Sequence, residues 1–266
     1  SMTSLSGNAV GNQFGKVGFT LKSEYPGQAQ HGNVGRAGML LNDVTLSIGS
    51  IGSNENEFFN LNYGIEMHNS DIVIKNSRFH QMVADNSYSS WGVSPPFGCA
   101  ITARASLDND FLAALTVLPL ASGNYTIEDA PVGVYNNFVN TRVLSTSMNN
   151  VRQGVFSEDN KLRNTTVANC TINARFRGID WRNNDRANFM NASVNTIVVD
   201  PLPGNIKGTA CIYMVETSPG NNANYRITDN LHLESKSAIY GIAAKNVENA
   251  WIGYNHIFTN QGTVQP

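Results

Sequence analysis

The sequence predicts an all-β solenoid, a parallel β-helix, and three observations predict it. The first is a short repeat in which an Asn is followed by two variable residues and a large apolar one. It occurs as Asn56-Glu57-Phe58-Phe59, Asn76-Ser77-Arg78-Phe79, Asn169-Cys170-Thr171-Ile172, Asn191-Ala192-Ser193-Val194, Asn230-Leu231-His232-Leu233 and Asn255-His256-Ile257-Phe258, with Ser145-Thr146-Ser147-Met148 as a variant. The second repeat is a small residue, an aliphatic one and then polar alternation, as in Gly64-Ile65-Glu66-Met67-His68 or Gly178-Ile179-Asp180-Trp181-Arg182. Further copies begin at Ala100, Gly133, Gly154, Cys211 and Gly241, and a degenerate one at Gly38. The third is that no stretch carries a sustained helical period with caps at both ends. Short strands repeated without helices between them must stack, because one unit cannot bury its apolar face alone.

In chain order, the opening Ser1-Met2 reads as the scar of a removed expression tag, and residues 1–32 as an N-terminal cap or leading coil. The absence of a signal peptide after such a scar says nothing about secretion. Residues 33–260 form the repeat region. Each unit there opens on the small-aliphatic strand, whose period of two marks one buried face. A second strand follows, clearest in Ile72-Val73-Ile74-Lys75, and then the Asn turn. Asn suits that turn because it tolerates the left-handed backbone better than other residues bearing a Cβ. Stacked turns would set the Asn amides in a hydrogen-bonded ladder, with Asn169 and Asn191 as adjacent rungs. Two apolar stacks are expected: Ile65, Ile101, Val134, Val155, Ile179, Ile212 and Ile242 in one, and Phe59, Phe79, Ile172, Val194, Leu233 and Phe258 in the other. Units longer than one coil place insertions at about 83–97, 105–130, 200–208 and 216–224. Residues 261–266 are a C-terminal tail.

Composition agrees and excludes several classes. Charged residues make up 14% of the chain, against a typical value of about 25%. The net charge is −2 and no Lys/Arg block occurs, which argues against nucleic acid as a partner. No apolar run reaches the length of a transmembrane segment. Three cysteines, at 99, 170 and 211, lack metal-binding spacing and read as buried thiols. The five histidines show no HxH or HExxH pattern, so no metal site is assigned. Asn42-Asp43, Asp108-Asn109-Asp110 and Glu158-Asp159-Asn160 are Asx-rich enough to consider for Ca²⁺, but none has the spacing of a known loop.

The pattern from Gly64 to Phe79 resembles the right-handed parallel β-helix repeats of pectin-lyase-like proteins. The run from Phe58 to Ile65 is similar to repeats in secreted and cell-surface proteins of the Bacteroidetes type. The resemblance covers about residues 33–260. It implies a right-handed single-stranded parallel β-helix of about eight coils, secreted or held at a cell surface. It does not fix a function, since that fold hosts lyases, hydrolases, tailspikes and adhesins. The Asn-Thr-Asp, Asp-Asp and Gly-His-Gly segments of the hydrolases in this family are missing here.

A candidate site comes from reading the columns of the small-aliphatic strand that face away from the aliphatic stack. The first column runs Glu66, Thr102, Tyr135, Phe156, Asp180, Tyr213, Ala243. The second runs His68, Arg104, Asn137, Glu158, Arg182, Val215, Lys245. In-register stacking puts neighbours about 4.8 Å apart. Glu158, Asp180 and Arg182 would then meet on an exposed face flanked by Tyr135, Phe156 and Tyr213, with Arg104 nearby. Two carboxylates so placed suit acid–base work on a glycosidic bond. Arginine and aromatic rings suit an acidic sugar. Opposite charges on adjacent strands that simply pair are the third possibility. Three functions follow: a non-catalytic module binding a polysaccharide or surface partner, a polysaccharide lyase or glycoside hydrolase using the same groove, and a structural spacer in a larger surface protein. Nothing in the pattern sets the oligomeric state.

Overall fold

A computed structural model describes residues 3–9, 13–15, 35–50, 54–84, 98–106, 113–184, 187, 189–204, 207–217, 223–236 and 240–259. Strands and turns account for the regular structure of these residues, and no helix occurs among them. Among the described residues 24 strands form two sheets, one of nine strands and one of 15. Every strand pair is parallel, and each strand joins its equivalent in the next repeat. This arrangement is consistent with a parallel β-solenoid.

The nine-stranded sheet runs from Thr3–Ala9 through Val44–Ile48, Asp71–Ile74, Ala114–Val117, Asn140–Leu144, Asn164–Ala168, Phe189–Ser193 and Tyr225–Thr228 to Ala250–Gly253. The larger sheet has two wings. One holds the small-aliphatic strands, among them Gly35–Asn42, Leu61–His68, Cys99–Arg104, Val132–Asn137, Ala210–Val215 and Tyr240–Lys245. The other holds shorter strands such as Asn56–Phe59, Ser77–His80, Thr196–Val199, His232–Ser235 and Ile257–Thr259. Two 12-residue strands, Ser147–Glu158 and Thr171–Arg182, run through both wings and join them. The stretch 105–130, expected as an insertion, contains strands Ala114–Val117 and Ile127–Glu128 in regular register, so it is a repeat in its own right. Residues 85–97, most of another expected insertion, lie outside the described residues, as do 205–206 and 218–222.

The first apolar stack is in register as expected. Met39, Ile65, Ile101, Val134, Val155, Ile179, Ile212 and Ile242 are successive strand partners. All from Ile65 to Ile212 are fully buried, while Ile242 is partly buried. The small residue before each has a steric cause. A Cβ on Gly178 would stand 2.7 Å from the Cys211 carbonyl oxygen of the next repeat, so backbone is packed where a side chain would otherwise go.

The second stack differs from expectation by one residue in places. Its members are Phe58, Phe79, Ile127, Met148, Ile172, Ile197, Leu233 and Ile257, in continuous register. Phe58 stacks on Phe79 with centroids 4.7 Å apart. Phe59, Val194 and Phe258 are not members. Asn56 aligns with Ser77 and not with Asn76, and a slip of one residue moves a side chain to the opposite face. Val194 instead occupies a corner at φ 58°, a costly conformation for a β-branched residue.

Corners are where the Asn residues go. Asn60, Asn69, Asn76, Asn150, Asn169, Asn183 and Asn246 all have positive φ. The ladder exists, but its rungs are Asn195, Asn230 and Asn255, and the expected pair Asn169 and Asn191 is not part of it. Asn195 Nδ2 donates to Asn230 Oδ1 at 2.9 Å, and Asn230 Nδ2 to Asn255 Oδ1 at 2.7 Å. Their backbone amides repeat the pattern, Asn195 N donating to Asn230 Oδ1 at 3.1 Å. Asn169 sits one position before the rung, at the corner, and Asn191 lies within a strand as the partner of Thr166 and Arg226. Replacing Asn230 with Ala is therefore expected to cost about 1–3 kcal/mol, because it strips a partner from the buried Asn195 and from the partly buried Asn255. Asn191→Ala is expected within about 0.5 kcal/mol of the unmutated chain. Urea titrations of the two variants side by side check the assignment, and equal losses would refute it.

Candidate functional site

The face of the small-aliphatic wing turned away from the aliphatic stack carries three columns. Leu40, Glu66, Thr102, Tyr135, Phe156, Asp180, Tyr213 and Ala243 are successive partners. Beside them Glu158 pairs with Arg182, and His68 with Arg104. A third column, which the sequence reading passed over, is set by the residue before each small one: Ala37, Tyr63, Cys99, Val132, Gln153, Arg177, Ala210 and Tyr240.

The face is not the exposed surface that alternation implies. Glu66, Thr102, Tyr135, Phe156 and Asp180 are all buried, as is Arg104. Tyr63, Cys99, Val132, Tyr135 and Phe156 form a second apolar cluster there, and Tyr135 meets Phe156 edge-on at 5.3 Å. Alternation reports which side a residue takes, not what covers that side.

Asp180 is the hub. It is 0% exposed, and its carboxylate accepts from Gln153 Nε2 at 2.6 Å, Arg177 Nη1 at 2.9 Å, Arg182 Nε at 3.0 Å and Arg182 Nη2 at 2.6 Å. Three of these donors reach Oδ2 and one reaches Oδ1, so both oxygens of the carboxylate are engaged. Arg182 also lies over the Phe156 ring at 4.7 Å. Burial pulls the Arg182 guanidinium pKa down, but the Asp180 contacts and the nearby Glu158 outweigh that and leave it raised. Arg177 is sandwiched between Tyr213, 3.4 Å from its ring centroid, and Phe176 at 4.5 Å. Its Nε donates to the Gly208 carbonyl at 2.8 Å.

Glu158 stands apart from this hub. It is half-buried; Tyr135 Oη donates to its Oε2 at 3.5 Å, and Asn137 Nδ2 donates to its backbone carbonyl at 2.9 Å. Burial, helped by the charge of Asp159, raises its pKa. Burial likewise raises the Tyr135 hydroxyl. Arg104 lies further along, and burial lowers its pKa against the opposing pull of Tyr135, Glu66 and Tyr63. Glu66 pairs with Arg36 at 3.2 Å. The structure thus brings Asp180, Arg182, Phe156 and Tyr213 into one cluster, with Glu158 and Tyr135 at its edge and Arg104 away from it.

An open cavity of about 610 Å³ borders the cluster, lined by Lys207, Gly208, Tyr213, Tyr240 and the stretch from Ile242 to Lys245. It opens where Asp180 and Tyr213 are followed in the column by the small Ala243. Of the candidate site residues named from sequence, Tyr213 lines it, as do Ala243 and Lys245 from the two columns and Ile242 from the aliphatic stack. Tyr240 was legible in the column preceding the glycines. Lys207 lies in a turn that no repeat pattern marks.

Among the described residues no group of three His, Cys, Asp or Glu side chains is placed to hold a metal. In two of the Asx-rich stretches the side chains bond within the protein: Asn42 Nδ2 donates to Asp43, and buried Asn160 Oδ1 accepts from Val139 N at 2.8 Å. Residues 108–110 lie outside the described set. The three cysteines are buried and form no disulfide among the described residues. Burial pushes their thiols up to about 12, 11 and 12 for Cys99, Cys170 and Cys211, far from the thiolate range that nucleophiles and metal ligands need. Among the described residues no helix is long and apolar enough to cross a membrane. Comparison with known proteins gives no match to a family model, a curated protein or a solved structure. The likeness to pectin-lyase-like proteins therefore rests on the repeat pattern alone.

Proposed function

We propose that the chain is a right-handed parallel β-helix of about eight coils, from a secreted or surface-attached protein, that binds a polysaccharide without turning it over. The observation that carries this reading is the cavity beside the Asp180 cluster, where Tyr213 and Tyr240 line one open space with two lysines. Exposed tyrosine on a rigid strand is suited to stacking on sugar rings, and a parallel sheet supplies a scaffold that does not move. The donors on Asp180 support a structural role for that carboxylate over an acid–base one, because it is 0% exposed and both oxygens are held by Gln153, Arg177 and Arg182, whereas a catalytic carboxylate must reach its substrate.

Calorimetry against a panel of neutral and acidic oligosaccharides tests the reading, with the same mixtures monitored for unsaturated or reducing products. Heat without products is the expected result, and Tyr240→Ala is expected to weaken binding about tenfold, the size of one well-stacked ring. Product formation abolished by Glu158→Gln would replace this reading with the lyase or hydrolase one. The spacer reading also has an observation in its favour. In the last described repeat Ile252 is 45% and Ile257 47% exposed, whereas Ile227 and Leu233, their partners in the repeat before, are 0% exposed. Each repeat covers its predecessor in this way, so that end presents a surface shaped for another coil. No heat with any glycan would leave the spacer reading standing.

A further inference from the structure

We infer that the two ends of the stacked repeats bind one another, so that a second copy of this chain docks head to tail on the last described repeat. The inference goes beyond the saccharide reading above and does not depend on it. Three strands close the tail: Tyr240–Lys245, Ala250–Gly253 and Ile257–Thr259. Among the described residues each has a partner strand on one side alone. The head ends on the same three ladders, at Gly35–Asn42, Thr3–Ala9 and Gln13–Gly15, and each of these also has one partner strand. All six pairings are parallel. A second copy set head to tail therefore continues every ladder at once, in the same order and the same direction. Unpaired strand edges are templates for such pairing.

The side chains at the two ends match as the backbones do. At the tail, Ile252 and Ile257 are close to half exposed, while their partners one repeat in, Ile227 and Leu233, are fully buried. At the head, Met39 and Leu41 are partly buried, while their partners Ile65 and Met67 are fully buried. Each end has the apolar face that one more repeat covers in mid-stack. The glycine column is set for the same contact. At Gly38, Gly64, Gly133, Gly154 and Gly178 a carbonyl oxygen of the next repeat stands 2.4–2.8 Å from where a Cβ would be. Gly241 carries that column to the tail, where the Gly38 carbonyl of a second copy would take the equivalent place. The Asn ladder sets the direction. Asn195 and Asn230 each donate, from backbone N and from Nδ2, to the Oδ1 of the following rung. The series runs one way, so the tail ends on the donor side of Asn255. Two tails face to face, as two-fold symmetry would place them, would set donor against donor.

Sedimentation velocity of the full chain from about 10 μM to about 1 mM tests this, because a contact one repeat across is small and its Kd is expected on the order of 100 μM. The expected result is a series of dimer, trimer and larger species that grows with concentration and has no fixed end, as a head-to-tail contact gives. Ile252→Lys/Ile257→Lys puts charge on the tail and Met39→Lys puts it on the head, and each variant alone should stay monomeric. Mixed in equal amounts, the two should form a one-to-one dimer and nothing larger, since each supplies the end that the other has lost. Circular dichroism checks that the variants keep their strands, and Leu41→Lys takes the place of Met39→Lys if that one does not. A monomer at every concentration would overturn the inference and leave the saccharide reading where it stands. So would a dimer that grows no further and persists in Met39→Lys, because the tails would then be pairing with each other. Association undiminished in Ile252→Lys/Ile257→Lys would overturn it as well.

Discussion

Replacing Asp180 with alanine is expected to destabilise the chain by about 3–5 kcal/mol, the usual cost of removing one partner from a buried ion pair. Arg177 has a side chain only 8% exposed and depends on Asp180 for its sole ion pair among the described residues. Without the carboxylate, its charge stays in a poorly hydrated place between Tyr213 and Phe176. Gln153 loses an acceptor 2.6 Å away, and Arg182 loses two bonds. Asp180→Asn should fall between the two, since it keeps the shape and one acceptor but turns an amide group toward three donor side chains. Arg182→Ala, which an exposed face would have made nearly neutral, is expected to cost about 1.5–3 kcal/mol through its charged hydrogen bonds. Urea unfolding followed by circular dichroism reads all three. An unchanged midpoint for Asp180→Ala would show that the four bonds contribute nothing to the fold and would return Asp180 to the list of catalytic carboxylates.

The sequence made one half of this cluster visible and hid the other for a physical reason. Asp180 and Tyr213 lie one place after the aliphatic residue of each repeat, so aligning the glycines aligned them too. Gln153 and Arg177 lie one place before the glycine, in a column that reads Ala37, Tyr63, Cys99, Val132, with no shared chemistry to draw the eye. The aliphatic stack was legible because a close backbone approach demands the small residue at each copy. The aromatic one slipped because Asn was read as the register mark, and Asn serves several corners here: Asn60, Asn76 and Asn169 all have positive φ, yet none is a rung of the ladder. The true rung, Asn195, follows a corner at which the chain carries Val194. The cavity's mark in the sequence is slight: the small Ala243 follows larger residues in the same column, and only the stacked fold turns that change of size into an open space.

Truncating Ile179 to alanine is expected to cost about 2–5 kcal/mol, the transfer of a buried aliphatic side chain plus the void it leaves. The upper half of that range is favoured by what surrounds it. Ile179 is fully buried and held in register between Val155 on one strand and Ile212 on the next. Its neighbours on the chain are equally fixed: Gly178 is packed against the Cys211 carbonyl, and Trp181 is 0% exposed. Hydrogen-bonded partners on both sides keep the strand from closing over a gap, and a site that cannot collapse pays the full cavity cost. Ile242→Ala at the far end of the same stack removes the same atoms from a partly buried position. It should cost about 1 kcal/mol, because less apolar area leaves water there in the first place. The ratio of the two losses is the informative quantity, measured as the difference in unfolding free energy by urea titration with matched slopes. A mid-stack loss no larger than the terminal one would mean that the aliphatic column is not packed rung on rung. In that case parallel pairing alone, and not the stacked core, would be holding the repeats together.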